Sequence, residues 1–128
     1  MLQNFHRYGL LLSAIFLIFL AYDLFRAFWF TDAAGARHFG MGLGTVIMLV
    51  NWWLLFGYTF GCHATRHIVG GLADEISTKP LRWLAYRFST VLNRAHMRWA
   101  WFSLFSVALT DLYIRLCSMG VLYDVRLF

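Results

Sequence analysis

Three long apolar runs constrain this chain more than any other feature. A helix needs roughly 20 mostly apolar residues to cross the hydrocarbon core of a bilayer. The first run covers about residues 8–30 and is nearly all Leu, Ile, Phe and Ala until Asp23. The second, about residues 39–61, holds no charged residue, and the third, about 97–121, carries Asp111 and Arg115 in its interior. Backbone polar groups in lipid must be satisfied within the segment, which leaves helix as the form for so few spans. The predicted fold is therefore all-α: an integral membrane three-helix bundle, multi-pass, forming a single domain over residues 1–128.

Composition agrees. The chain is 61% hydrophobic and only 13% charged, where a soluble domain carries about twice that charge. A net charge of +5 could suggest nucleic acid, but the cations are interleaved with membrane-length runs and are better explained by orientation in a bilayer. No nucleic-acid partner is expected. The first run is longer than a signal h-region and no small-residue cleavage site precedes Thr31, so it is expected to remain as a helix. Two cysteines, Cys62 and Cys117, do not make a secreted disulfide framework.

Between the second and third runs, Ser77-Thr78-Lys79-Pro80 reads as a helix start. Apolar Leu81, Trp83, Leu84, Phe88 and Leu92 then alternate with Arg82 and Arg87, which predicts a short amphipathic helix at the interface over about residues 80–92. Residues 66–98 hold Arg66, Lys79, Arg82, Arg87, Arg94 and Arg98, six of the eleven cations. The positive-inside rule puts that stretch and the N-terminus in the cytoplasm.

Ionisable groups at membrane depth usually face the bundle interior. Asp23 with Arg26, and Asp111 with Arg115, are spaced to share a helix face. They read either as an ion-pair cluster locking spans one and three, or as a proton route or a polar wall of a ligand pocket. The denser constellation is Gly61-Cys62-His63-Ala64-Thr65-Arg66-His67, at the end of span two, with His96 opening span three at the same depth. Imidazole and thiolate together are transition-metal or iron–sulfur ligands, and imidazole serves haem. The alternative is that these side chains snorkel to lipid phosphate. Glycines 40, 42, 44, 57 and 61 in span two let another helix approach closely, and most tryptophans suit interfacial belts.

Gly61-Cys62-His63-Ala64-Thr65-Arg66-His67-Ile68-Val69-Gly70-Gly71 resembles a stretch of the membrane-anchor subunits of actinobacterial-type succinate dehydrogenase. So do Leu92-Asn93-Arg94-Ala95-His96-Met97-Arg98-Trp99-Ala100-Trp101 and Thr110-Asp111-Leu112-Tyr113. The resemblance implies a complex II role in a bacterial plasma membrane, with a flavoprotein subunit, an iron–sulfur subunit and a second membrane-anchor chain as partners. Electrons would then reach menaquinone or ubiquinone. It makes Cys62, His63, His67 and His96 ligand candidates, and Arg66, Asp111 and Tyr113 candidates for quinone or cofactor contacts. The implied cofactor is a Rieske-like [2Fe–2S] centre, which needs two Cys and two His, so that a partner chain would share it; haem b is the alternative. Nothing in the chain could oxidise succinate alone. A cofactor-free scaffold that assembles a larger complex is the competing function.

Overall fold

The computed structural model describes residues 2–31, 35–71 and 79–127. Five helices and a small hairpin follow in order: α1 (Leu2–Ala27), β1 (Trp29–Thr31), β2 (Arg37–Phe39), α2 (Leu43–Phe60), α3 (His63–Gly70), α4 (Pro80–Asn93) and α5 (His96–Ser118). Three stretches are long and apolar enough to cross a membrane: Phe5–Ala27, Leu43–Phe60 and His96–Ser118. They run up, down and up, with α2 packed against both α1 and α5.

The burial pattern is that of a protein solvated by lipid. Thr45, Asn51, Thr59, Ser103 and Thr110 are buried, whereas Phe16, Ile18, Phe19, Phe105 and Leu109 are exposed. In a bilayer, helices gain little by hiding leucine from hydrocarbon, and small residues that allow close approach occupy the contacts. Gly57 is the sharpest case. A Cβ there would meet the Trp99 ring at 2.7 Å, so the indole of α5 lies directly on α2. Trp52 clamps the other side by donating its indole N–H to the Leu17 carbonyl of α1, 3.0 Å away. These two tryptophans pack the bundle instead of forming a belt.

Both ends of α2 are closed by other elements. At its start, Asp124 accepts from the Gly44 amide at 2.8 Å and from the Tyr113 hydroxyl at 2.8 Å. The Leu43 amide donates to the Val125 carbonyl, and the Thr45 hydroxyl donates to the Ala27 carbonyl. The segment after α5 thus folds back over the α2 N-terminus. Gly120, at φ 72°, makes the turn that ends α5 after Ser118. At the other end, Thr65, Ser89 and Asn93 donate side-chain hydrogen bonds to the carbonyls of Thr59, Phe60 and Gly61 at 3.2, 3.0 and 2.7 Å.

Two local departures from the sequence reading have simple causes. Span one ends at Ala27 and span two starts at Leu43, because Trp29–Thr31 and Arg37–Phe39 pair as a hairpin. Aromatic and β-branched residues favour that form. The α4 helix does lie between spans two and three, with buried Ser89 turned to α2 and Leu81, Leu84, Phe88 and Val91 exposed. Ser77 and Thr78, the proposed helix start, lie outside the described residues; Pro80 occupies the first helical turn.

The close Gly57–Trp99 contact makes a direct prediction. Gly57→Val should destabilise the detergent-solubilised protein by about 1–3 kcal/mol, the usual cost of overpacking. Adding Trp99→Leu should restore much of that loss, as read from the two thermal midpoints and that of the double variant.

Candidate functional site

The site grows from a break in the chain. Helix α2 stops at Phe60, Gly61 packs against the Leu92 backbone, and Cys62 begins a new helix as the N-cap of α3. Cys62 Sγ accepts from the Ala64 amide at 3.4 Å, and the side chain is buried. A continuous helix would have aimed Cys62 along its own surface; as a cap it turns toward the bundle and meets α1.

There it meets His6. His6 Nε2 lies 2.8 Å from Cys62 Sγ, and the His6 ring stacks on His63 with centroids 4.8 Å apart and 7° between planes. One ligand atom each from His6, Cys62 and His63 lies within 4.8 Å of the others. His96 joins from α5, its ring stacked on Tyr58 at 5.0 Å. His6, Cys62, Tyr58 and His96 line one cavity of about 110 Å³. His96 Nδ1 is buried there without a hydrogen-bond partner among the described residues. A second, apolar recess of about 290 Å³ lies along α1 and α2, and the two share Ser13, Tyr58 and Thr59.

The remaining candidates do not converge. His67 is exposed and touches the cluster only through an edge contact with His63, centroids 6.1 Å apart. Arg66 turns to α4, donating to the Tyr86 hydroxyl at 2.8 Å with its guanidinium over that ring. Asp111 and Tyr113 lie about 22 and 25 Å along α5 from His96, at the rise of a regular helix. Asp111 pairs with Arg115 at 2.9 Å on the exposed face, and Tyr113 binds Asp124. These two therefore belong to the opposite end of the bundle from the histidines. The ion pairs do not lock spans one and three: the Asp111–Arg115 pair lies within one helix, and among the described residues Asp23 and Arg26 form no ion pair.

His6 was absent from the sequence-derived set, yet the signal was available. In an up-down-up bundle the start of span one shares its level with the end of span two and the start of span three. The reasoning that selected His96 selects His6 equally.

The donor set discriminates among cofactors. A Rieske-like centre takes two Cys and two His. The second cysteine, Cys117, lines a recess at the far end with Gly44, Tyr113 and Asp124, so this chain brings one cysteine to the site, as the shared centre required, and nothing further supports that centre. The face-to-face stacking of His6 on His63 also leaves no room for a porphyrin between those two rings. Two imidazoles and a thiolate suit a transition-metal ion, and a haem would take a histidine outside the stacked pair.

Comparison with known proteins bears on identity. The family model for the actinobacterial succinate dehydrogenase subunit SdhC matches residues 1–120. A chain of the Mycobacterium smegmatis Sdh1 complex in the apo form is 38% identical and covers 99% of this chain, with a TM-score of 0.85. The present chain spans 46% of that one, about half its length. No curated protein matches. The chain belongs to the actinobacterial succinate dehydrogenase subunit SdhC family.

Proposed function

We propose that this membrane subunit of succinate dehydrogenase carries electrons from an iron–sulfur partner subunit to membrane quinone, through the end of the bundle where His6, Cys62, His63 and His96 gather. The observation that carries the reading is the approach of three ligand-type atoms to within 4.8 Å, beside a cavity that shares Ser13, Tyr58 and Thr59 with an apolar recess. The His6, Cys62 and His96 side chains at the cavity offer polar contacts to a quinone head, and the apolar recess suits its tail. A metal or haem held by these histidines and the cysteine supplies one-electron chemistry when bound. The residues themselves orient the ring system and offer imidazole nitrogens for proton exchange beside it.

Charge supports the same orientation. Arg66, Arg82, Arg87, Arg94 and Arg98 flank this end, which by the positive-inside rule faces the cytoplasm together with the N-terminus. A cytoplasmic iron–sulfur subunit, itself fed by a flavoprotein subunit, docks there. A second membrane-anchor chain is the further partner. A cofactor-free scaffold accounts for the packing of Gly57 and Trp99 but gives no reason for Cys62 and His6 to meet.

Cys62→Ser and His6→Ala in the assembled complex should each lower quinone reduction by at least the roughly tenfold that loss of a ligand's supporting hydrogen bond costs. Succinate oxidation by a soluble acceptor should stay intact. Equal loss of both activities indicates failed assembly instead. The exposed His67→Ala should leave quinone reduction nearly unchanged.

Spectroscopy separates the cofactors. A sharp reduced α-band assigns haem to this subunit, and its loss in His96→Ala but not in His67→Ala assigns the ligand. A rhombic low-temperature EPR signal abolished by Cys62→Ser would restore the shared iron–sulfur centre. If neither signal is found and quinone reduction in the His6 and Cys62 variants equals wild type, the scaffold reading stands.

A further inference from the structure

At the end of the bundle opposite the histidines lies a recess of about 630 Å³ lined by Tyr22, Phe25, Arg26, Trp29, Thr31 and Arg37. Three of these residues, Tyr22, Phe25 and Arg26, recur at helical spacing along the end of α1, and Trp29 opens strand β1 just beyond it. The last two, Thr31 and Arg37, are register partners in the same hairpin. Two guanidinium groups from different elements therefore converge on one space walled by aromatic rings and a hydroxyl.

Neither cation is spent elsewhere among the described residues. Arg26 passes over Asp23, three residues before it, and sits above the Tyr22 ring with its Cζ 6.0 Å from the centroid. No described carboxylate makes an ion pair with Arg26 or Arg37. A buried or interfacial guanidinium seeks a planar or tetrahedral anion that accepts several hydrogen bonds, and phosphate does this well. The recess is also not a closed aqueous pocket. Below Tyr22 the same face of α1 continues through Ile18, Ile15 and Leu11, which are 70%, 43% and 59% exposed. That stripe runs down into the hydrocarbon, so an anion seated at the arginines would have an apolar track directly beneath it.

We infer that this recess is a binding site for an anionic phospholipid, its phosphate between Arg26 and Arg37 and an acyl chain along Ile18, Ile15 and Leu11. Trp29 and Tyr22 supply aromatic rings of the kind that contact the glycerol region of a lipid. An ordinary snorkelling arginine meets whatever headgroup passes. Two that converge on one recess hold a single phosphate and discriminate by charge.

Native mass spectrometry of the full chain in detergent tests this, with phosphatidylglycerol and phosphatidylcholine of matched acyl chains as probes. Wild type should retain phosphatidylglycerol preferentially. Arg26→Gln and Arg37→Gln should each reduce that retention roughly fivefold, and together about 25-fold, if each basic contact contributes its usual share. Arg82→Gln, which removes a cation from α4, should leave the preference unchanged. Each single variant keeps one cation and decides the matter if the double variant loses its helical circular dichroism. Equal retention of both lipids by wild type overturns the inference, as does undiminished retention in the arginine variants. Displacement of the lipid by millimolar inorganic phosphate also overturns it, because the ligand is then free phosphate.

Discussion

Three side-chain hydrogen bonds onto the last carbonyls of α2 hold the functional end of this protein together. A helix leaves its final carbonyls without partners inside the helix, and where other elements pack over them they need protein donors. Here Thr65 of α3 and Ser89 and Asn93 of α4 donate to Thr59, Phe60 and Gly61. Each bond does two things. It gives a helix-end carbonyl a donor, where a buried acceptor left without one costs about 1–3 kcal/mol; of these three carbonyls only that of Thr59 also has a backbone donor among the described residues, the Cys62 amide. It also ties a peripheral helix to the central one. Without them α3 and α4 would have only a weakly apolar surface to offer α2, and nothing would fix the level at which α3 begins.

The two ends of α2 solve the same problem with different materials. Its N-terminus is capped in trans by Asp124, whose carboxylate also accepts from Tyr113 and so fastens α5 to the same point. A carboxylate suits a helix N-terminus, where the backbone dipole is positive. Neutral hydroxyl and amide donors suit the C-terminus. Between these ends the packing uses small residues, Gly57 beneath Trp99 above all, because in lipid close approach replaces hydrophobic burial as the source of cohesion.

What the sequence revealed follows from which signals are local. The three spans and the amphipathic helix were readable because hydropathy over about 20 residues is a property of the segment alone. The family resemblance rested on contiguous motifs around Cys62, His96 and Asp111, and the family match over residues 1–120 agrees with it. The site was only partly readable because it is assembled across helices. Cys62, His63 and His96 were found through their depth, whereas His6 was overlooked although the topology gave it the same depth. Asp111 and Tyr113 were drawn to the site by belonging to a shared motif, but the direction of α5 carries them to the far end. The return of Asp124 to α2 left no local trace, since a lone carboxylate after a span is indistinguishable from a solvated one.

The break at Gly61 links the fold to the chemistry. In an unbroken helix Cys62 and His63 would diverge by about 100° around the axis, and only one of them could face α1. Breaking the helix lets Cys62 act as a cap with its sulfur toward His6, while His63, the first residue of the new helix, swings its ring onto the same histidine. At the break the Thr59 carbonyl keeps a backbone bond from the Cys62 amide, and side-chain donors on the helices that follow reach it and the Phe60 and Gly61 carbonyls. A substitution that straightened the chain here would release Thr65, Ser89 and Asn93 from their acceptors and separate Cys62 from His6 in the same movement. Helix capping and the gathering of ligand-type side chains are one structural event in this subunit.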